Sequence, residues 1–158
     1  MAGRRVLGHP QTKQPLDSPE HAAILGIRQT NDQLLSRCSQ LFREHDLTHP
    51  QYNLLRILWS AGQPISTQEN ARQMDQGPSA MSGILGRLEI QGLILRSRCT
   101  SDKRIIHVEP TAAAGEVLKR LDVPVSELHQ QLMGHLTQEE LKELVRLLEK
   151  AREVTEQL

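Results

Sequence analysis

Residues 77–111, GPSAMSGILGRLEIQGLILRSRCTSDKRIIHVEPT, constrain the fold more than any other stretch of the chain. Met81, Ile84, Leu85 and Leu88 recur at i, i+3, i+4 and i+7, which makes one apolar helix face. The opposite face holds Ser79, Ala80, Ser82, Gly83, Gly86 and Arg87, small or polar groups that let a helix approach another surface closely. Gly92 then ends the helix, as a residue tolerant of positive φ does just past a last turn. Two β-rich runs follow, residues 93–99 and 104–108. Between them lies a polar connection with Ser101, Asp102 and Lys103.

The preceding segments set up that helix. Thr48 with Gln51 three residues on is a capping box. It opens a helix carrying Tyr52, Leu54, Leu55, Ile57, Leu58 and Trp59, apolar nearly all round and therefore central, closed by Gly62 and Pro64. Ser66 with Glu69 reads as a second box, starting a short helix through Met74 with Ala71 and Met74 inward. Asp75 to Gly77 turn the chain, and Pro78 starts the next helix. A short helix, a tight turn and a second helix make helix-turn-helix spacing. A basic hairpin directly afterwards gives the winged form, a shape suited to reading DNA.

Charge agrees locally. The chain of 158 residues balances 19 Lys and Arg against 19 Asp and Glu. Zero net charge argues against a wholesale polyanion binder but leaves patches open. Arg87, Arg96, Arg98, Lys103 and Arg104 outnumber Glu89 and Asp102, so the helix and hairpin form a basic island. With Phe42, Tyr52 and Trp59 the only aromatic residues, stacking platforms for single strands are not expected. No apolar run approaches the ~20 residues that span a bilayer. Arg4 and Arg5 are followed by no apolar core, so no signal peptide is expected and the chain reads as cytoplasmic.

The flanks are helical. Residues 1–17 hold Pro10 and Pro15 without hydrophobic periodicity and read as a flexible tail, its Arg4 and Arg5 either solvated or touching phosphate. Ser18 and Pro19 start a long helix to about His45. Its seam of Ile24, Ile27, Asn31, Leu34, Cys38 and Leu41 is spaced 3, 4, 3, 4, 3, a coiled-coil-like stripe. Asn31 either sets register or is a tolerated polar position. Beyond the hairpin, Thr111 caps a helix with Val117, Leu118 and Leu121. Pro124 is expected to break it, and a new helix to start at Val125. Thr137 with Glu140 is a third capping box, before a helix striped with Leu141, Leu144, Val145, Leu148 and Ala151. Both end stripes want partners, in each other or in a second copy.

These residues resemble the MarR family of transcriptional regulators over 47–115. The carriers are Leu47-Thr48-x-Pro50-Gln51-Tyr52, Ser79-x-x-Ser82, Arg87-Leu88-Glu89-x-x-Gly92-Leu93, Asp102-x-Arg104 and Thr111-x-x-x-Gly115. The resemblance implies a mainly α fold with a small β-hairpin wing. It makes 18–158 a single domain: residues 47–110 form the winged helix-turn-helix lobe, and 18–46 with 111–158 supply the dimerisation helices. It implies a homodimer, most simply a repressor, bound to a pseudo-palindrome in double-stranded DNA with half-sites roughly 34 Å apart. Arg104 would enter a minor groove, with Asp102 holding it. Expected DNA contacts are Ser66, Thr67, Ser79, Ala80, Ser82, Gly83, Arg87, Arg98, Lys103 and Arg104, with Arg87 on a phosphate or a base edge. A cleft for a small effector would draw on Leu41, Leu55 and Trp59. Two positions depart from the family: Asn70 stands where Leu is usual, and Gly83 where Arg is often found.

Other readings fit some of the same residues. The run 47–52 is similar to that of the peroxide-sensing branch, whose reactive cysteine lies near Ala23 here, not at Cys38. Cys99 beside Arg98 would have a lowered pKa if the charge reaches it. His45 and His49 are four apart, which suits a metal on a continuous helix, but Pro50 and the Thr48 cap put them across a helix junction; His129 and His135, six apart, are a poor same-face pair. No metal, cofactor or catalytic motif is expected. The rivals are a redox- or metal-responsive regulator, and a winged helix used for protein contact.

Overall fold

The computed structural model describes residues 18–155; the tail with Arg4 and Arg5 lies outside them. Among the described residues the order is α1 (Pro19–Arg43), α2 (His49–Ala61), β1 (Ile65–Ser66), α3 (Thr67–Gln73), α4 (Pro78–Ile90), β2 (Ile94–Arg98), β3 (Ile106–Pro110), α5 (Ala112–Met133) and α6 (Gln138–Thr155). This is the expected class, mainly helical with a small antiparallel wing.

The chain divides after Ser36 into two units. The first holds most of α1, started by Ser18, whose Oγ accepts from the His21 N–H at 3.2 Å. Ile24, Ile27 and Leu35 on this helix are exposed.

The second unit is built on α2. Leu54, Leu55 and Leu58 have no exposure, and Leu85, Leu88, Ile94, Val108, Leu118 and Leu121 close around them. Each such side chain contributes roughly 1.5–3 kcal/mol by leaving water. Phe42, at the end of α1, stacks on Tyr52 with centroids 4.3 Å apart. Cys38 and Leu41 pack partly buried against the same core. Trp59 is the exception on α2, being 47% exposed: β3, α4 and α5 pack on this helix and leave that part of its surface open.

Local signals explain most boundaries. Thr48 forms its capping box with Gln51 in both directions, and so does Thr137 with Glu140. Ser66 forms only half of one. Its Oγ accepts from the Glu69 N–H, but the Glu69 carboxylate turns to Arg72 and Gln73 instead. An arginine partner is a charge-assisted one, stronger than a neutral cap N–H. Gly92 ends α4 at φ 70°, with its N–H on Glu89 O and the Leu93 N–H on Leu88 O.

Pro124 does not break the helix: α5 runs through it from Ala112 to Met133. A mid-helix proline costs roughly 3 kcal/mol. Leu118 and Leu121 before it and Val125 after it are all buried, which outweighs that cost. Arg56 of α2 also ion-pairs with Asp122, two residues before the proline.

The sheet has three strands, ordered β1-β3-β2. The first was not foreseen, because Ile65 and Ser66 are too short a run to show a period. They pair with Val108 and His107. In the hairpin Ile94 faces Pro110, Arg96 faces Val108 and Arg98 faces Ile106, so the second strand starts and ends two residues later than the 104–108 run implied, while the first lies within 93–99. Asn70 in α3 is fully buried. Its Nδ2 donates to Ile65 O at 3.5 Å, and its Oδ1 has no partner among the described residues.

Candidate nucleic-acid interface

α3, the Asp75 turn and α4 form the helix-turn-helix. Asp75 takes φ 49°, a left-handed conformation that Asp tolerates better than most residues. α4 buries Met81, Leu85 and Leu88 against α2 and the hairpin. That fixes which residues look outward: Ser79, Ala80, Ser82, Gly83 and Arg87 are all exposed. A Cβ on Gly83 or Gly86 would meet nothing within 4 Å. Both glycines therefore serve no packing inside the chain; the space they leave faces outward.

The wing carries the charge. Strand alternation puts Ile94, Arg96 and Arg98 on one face, with Ile94 buried and the arginines farther out. Arg96 is near enough to α4 to be captured: its Nε donates to Glu89 Oε2 at 2.9 Å, and its NH2 reaches the same oxygen. Glu89 is held below the usual carboxylate range by that guanidinium. Arg98, two residues on, is exposed. Arg87, Arg98 and Lys103 have no ion-pair partner among the described residues.

The hairpin tip is closed by Cys99 N–H on Ile105 O and Ile105 N–H on Asp102 O. Asp102 grips Arg104 three times: Oδ1 accepts from the backbone N–H at 3.0 Å and from Nε at 3.1 Å, and Oδ2 from NH2 at 3.0 Å. The hydrogen bonds from Arg104 keep the Asp102 pKa low. The Arg104 side chain is nevertheless 90% exposed. One edge of its guanidinium is held by the carboxylate, and the rest is open.

A hollow of about 550 Å³ separates α3 and α4 from the wing, lined among others by Thr67, Arg72, Ser82 and Arg96. Ser66 is half-buried, and its hydroxyl is occupied by the α3 cap. The residues named for an effector are not brought together. Leu55 is sealed in the core and Leu41 is packed against it, while Trp59 lines a separate hollow with Pro64 and Pro110. The Glu89–Arg96 pair escaped sequence reasoning. Its signal was there in the period-2 alternation from Ile94, which fixes the face of Arg96 but not its distance from α4.

Cys99 Sγ lies 3.0 Å from Ser101 Oγ. That hydroxyl and the backbone N–H groups of Asp102 and Ser101 lower the thiol pKa. Cys38 is shifted the other way, by burial. Among the described residues no three His, Cys, Asp or Glu side chains gather as a metal site, and no helix is long and apolar enough to cross a membrane.

The MarR family model matches residues 47–106, the span from the α2 cap to the start of β3. A MarR transcription factor from Planctomyces limnophilus is 34% identical, with a TM-score of 0.67, covering 84% of this chain and 97% of that one. MarR of Escherichia coli, crystallised as a mutant with operator DNA, shares the fold at a TM-score of 0.78 and 23% identity, over 88% and 99% of the two chains. The homoprotocatechuate degradative operon repressor of Escherichia coli is 26% identical over 125 residues, 79% of this chain and 84% of that protein. These relatives are regulators of transcription, not enzymes. With its helix-turn-helix, hairpin wing and clamped wing arginine, the chain belongs to the MarR family of transcriptional regulators.

Proposed function

We propose that this protein is a homodimeric repressor that binds a pseudo-palindromic operator in double-stranded DNA, in the cytoplasm. The observation that carries the reading is the hairpin tip. An arginine oriented by a carboxylate yet 90% exposed suits insertion into a minor groove, whose narrow form concentrates negative potential. Arg98 and Lys103 beside it serve phosphates. Ser79, Ala80, Ser82 and Gly83 let α4 settle into the major groove, and Ser66 and Thr67 approach the backbone from α3. Two relatives support DNA as the partner and repression as the outcome: the MarR crystallised with operator DNA and the degradative operon repressor.

A second copy covers the apolar side chains left open on the end helices. Leu144, Val145, Leu147 and Leu148 of α6 are exposed, as are Ile24 and Ile27 of α1. Apolar patches of this kind mark association surfaces. An effector that releases DNA fits a cleft of about 530 Å³ beside Tyr52, Arg56, Asp122 and His129, rather than the trio Leu41, Leu55 and Trp59.

The test is selection of bound sequences from a random DNA pool, followed by titration of the selected site. Recovery of inverted half-sites about one helical turn apart, bound by a dimer in light scattering, is the expected result. Arg104→Ala then weakens the complex strongly and leaves the dimer intact. A selection that enriches nothing, or an Arg104→Ala protein with unchanged affinity, sinks the reading.

A further inference from the structure

We infer that the hollow between the α1–α2 turn and α4 is a second phosphate site, holding the DNA backbone on the side of α4 away from the wing. The inference rests on the DNA-binding reading above and adds Arg43, a residue outside the helix-turn-helix, to the interface.

α4 has two flanks. On one, Ser82 lines the hollow shared with Thr67 and Arg96, and Glu89 holds the wing through Arg96. Helical spacing puts Ala80 and Arg87 on the other flank. There Arg87 lines a hollow of about 420 Å³ together with Arg43, Asp46 and Thr48. A smaller recess shares Thr48, Gln51 and Arg87 with it and reaches along α4 to Ala80 and Gly83. The missing side chain of Gly83 leaves the recess open outward.

The walls are fixed. Asp46 turns the chain at φ 57°, and its carbonyl accepts from Gln91 Nε2 at 2.8 Å, tying the turn to the end of α4. The Thr48–Gln51 box fixes the start of α2. Arg43 and Arg87 line this frame, and their guanidinium groups have no ion pair or hydrogen bond among the described residues. Asp46 is the one carboxylate among the lining residues. The site is therefore cationic, and its donors are forks that match phosphate oxygens.

Groove geometry names the occupant. A helix about 10–12 Å across, side chains included, fills a major groove about 12 Å wide. A sugar-phosphate strand then runs along each flank. The wing side has Arg98 and Lys103 for one strand. The other strand meets Arg43 and Arg87, and Arg87 is thereby assigned to phosphate and not to a base edge.

The test uses the full chain and its selected operator, titrated at several salt concentrations. Arg43→Gln is expected to weaken binding about tenfold, as for a lost hydrogen bond to a charged group. It should flatten the slope of log affinity against log salt by about 1. The same factor should appear on unrelated DNA, since a phosphate contact carries no sequence information. Arg87→Gln should behave alike, and Asp46→Asn should tighten binding. Thermal melts of the exposed-site variants establish that they fold. If Arg43→Gln binds as the parent does while Arg104→Ala is weak, DNA binding stands and this site falls. If Arg43→Gln changes base preference, a phosphate role is wrong. If no protein binds DNA, both readings fall together.

Discussion

Trp59 closes over Gly115 so tightly that a Cβ on residue 115 would lie closer to the indole than any real Cβ contact. The start of α5 is thus pinned beneath the outer side of α2. Gly115→Ala should displace the ring. Trp59 is the only tryptophan and already half exposed, so its emission should move to the red. Alanine gains about 1 kcal/mol of helix propensity over glycine. In a Trp59→Ala background, where nothing is displaced, that gain should appear in full in denaturant melts. A Gly115→Ala protein with unchanged fluorescence contradicts the contact.

Asn70 leaves a buried Oδ1 without a partner. An unsatisfied buried polar atom costs about 1–3 kcal/mol, and leucine keeps the same branched skeleton with no polar atom. Asn70→Leu should therefore raise the unfolding free energy by about 1–2 kcal/mol, measured by urea titration. A loss of stability would mean that the 3.5 Å bond to Ile65 O matters more than the orphaned oxygen.

Glu89 and Arg96 tie the end of α4 to the wing. Glu89→Gln removes the charge but not the shape. Both side chains are partly exposed to solvent, so global stability should change little. Operator affinity should fall further than that through a looser wing, and Glu89→Arg with Arg96→Glu should restore it. If Glu89→Gln instead tightens binding, Arg96 is a phosphate contact that Glu89 restrains.

The two thiols should differ in rate. Hydrogen bonds lower the Cys99 pKa and burial raises that of Cys38. Since the thiolate is the reactive form, iodoacetamide near pH 7.5 should label Cys99 first. Mass spectrometry of partial reactions reads the order directly, and equal labelling of both would refute it.

Glu69 is held at about 2 by hydrogen bonds from Arg72 and Gln73. A depressed carboxylate contributes stability above its unfolded pKa and loses it as pH falls through the folded one. Its contribution should thus persist below pH 4 and disappear toward pH 2. The Glu69 carboxyl shift followed by NMR should show that midpoint, and Arg72→Gln should move it up into the ordinary range.

Much of this architecture was legible because the responsible forces are local. Gly92 and the Thr48 and Thr137 caps act within four residues, so their motifs suffice. Pro124 misled because its effect depends on Leu121 and Val125 being buried against α2, which no local rule contains. β1 was invisible because two residues have no period; only β3 makes them a strand. Trp59 read as core because α2 is apolar on most sides, and that only one part of its ring is covered, by Gly115, is a tertiary fact. At the interface, the Asp102–Arg104 spacing was readable as a motif. The capture of Arg96 by Glu89 needed the helix and strand set side by side.

Ser66 has two attachments: it pairs with His107 as part of β1, and its hydroxyl anchors the first turn of α3. The reading head consequently has no separate joints. A tilt of α3 drags β3, and β3 carries the hairpin with it. In the dimer proposed above, a signal that releases DNA would then swing each lobe like a lever, because neither finger of one head lifts alone.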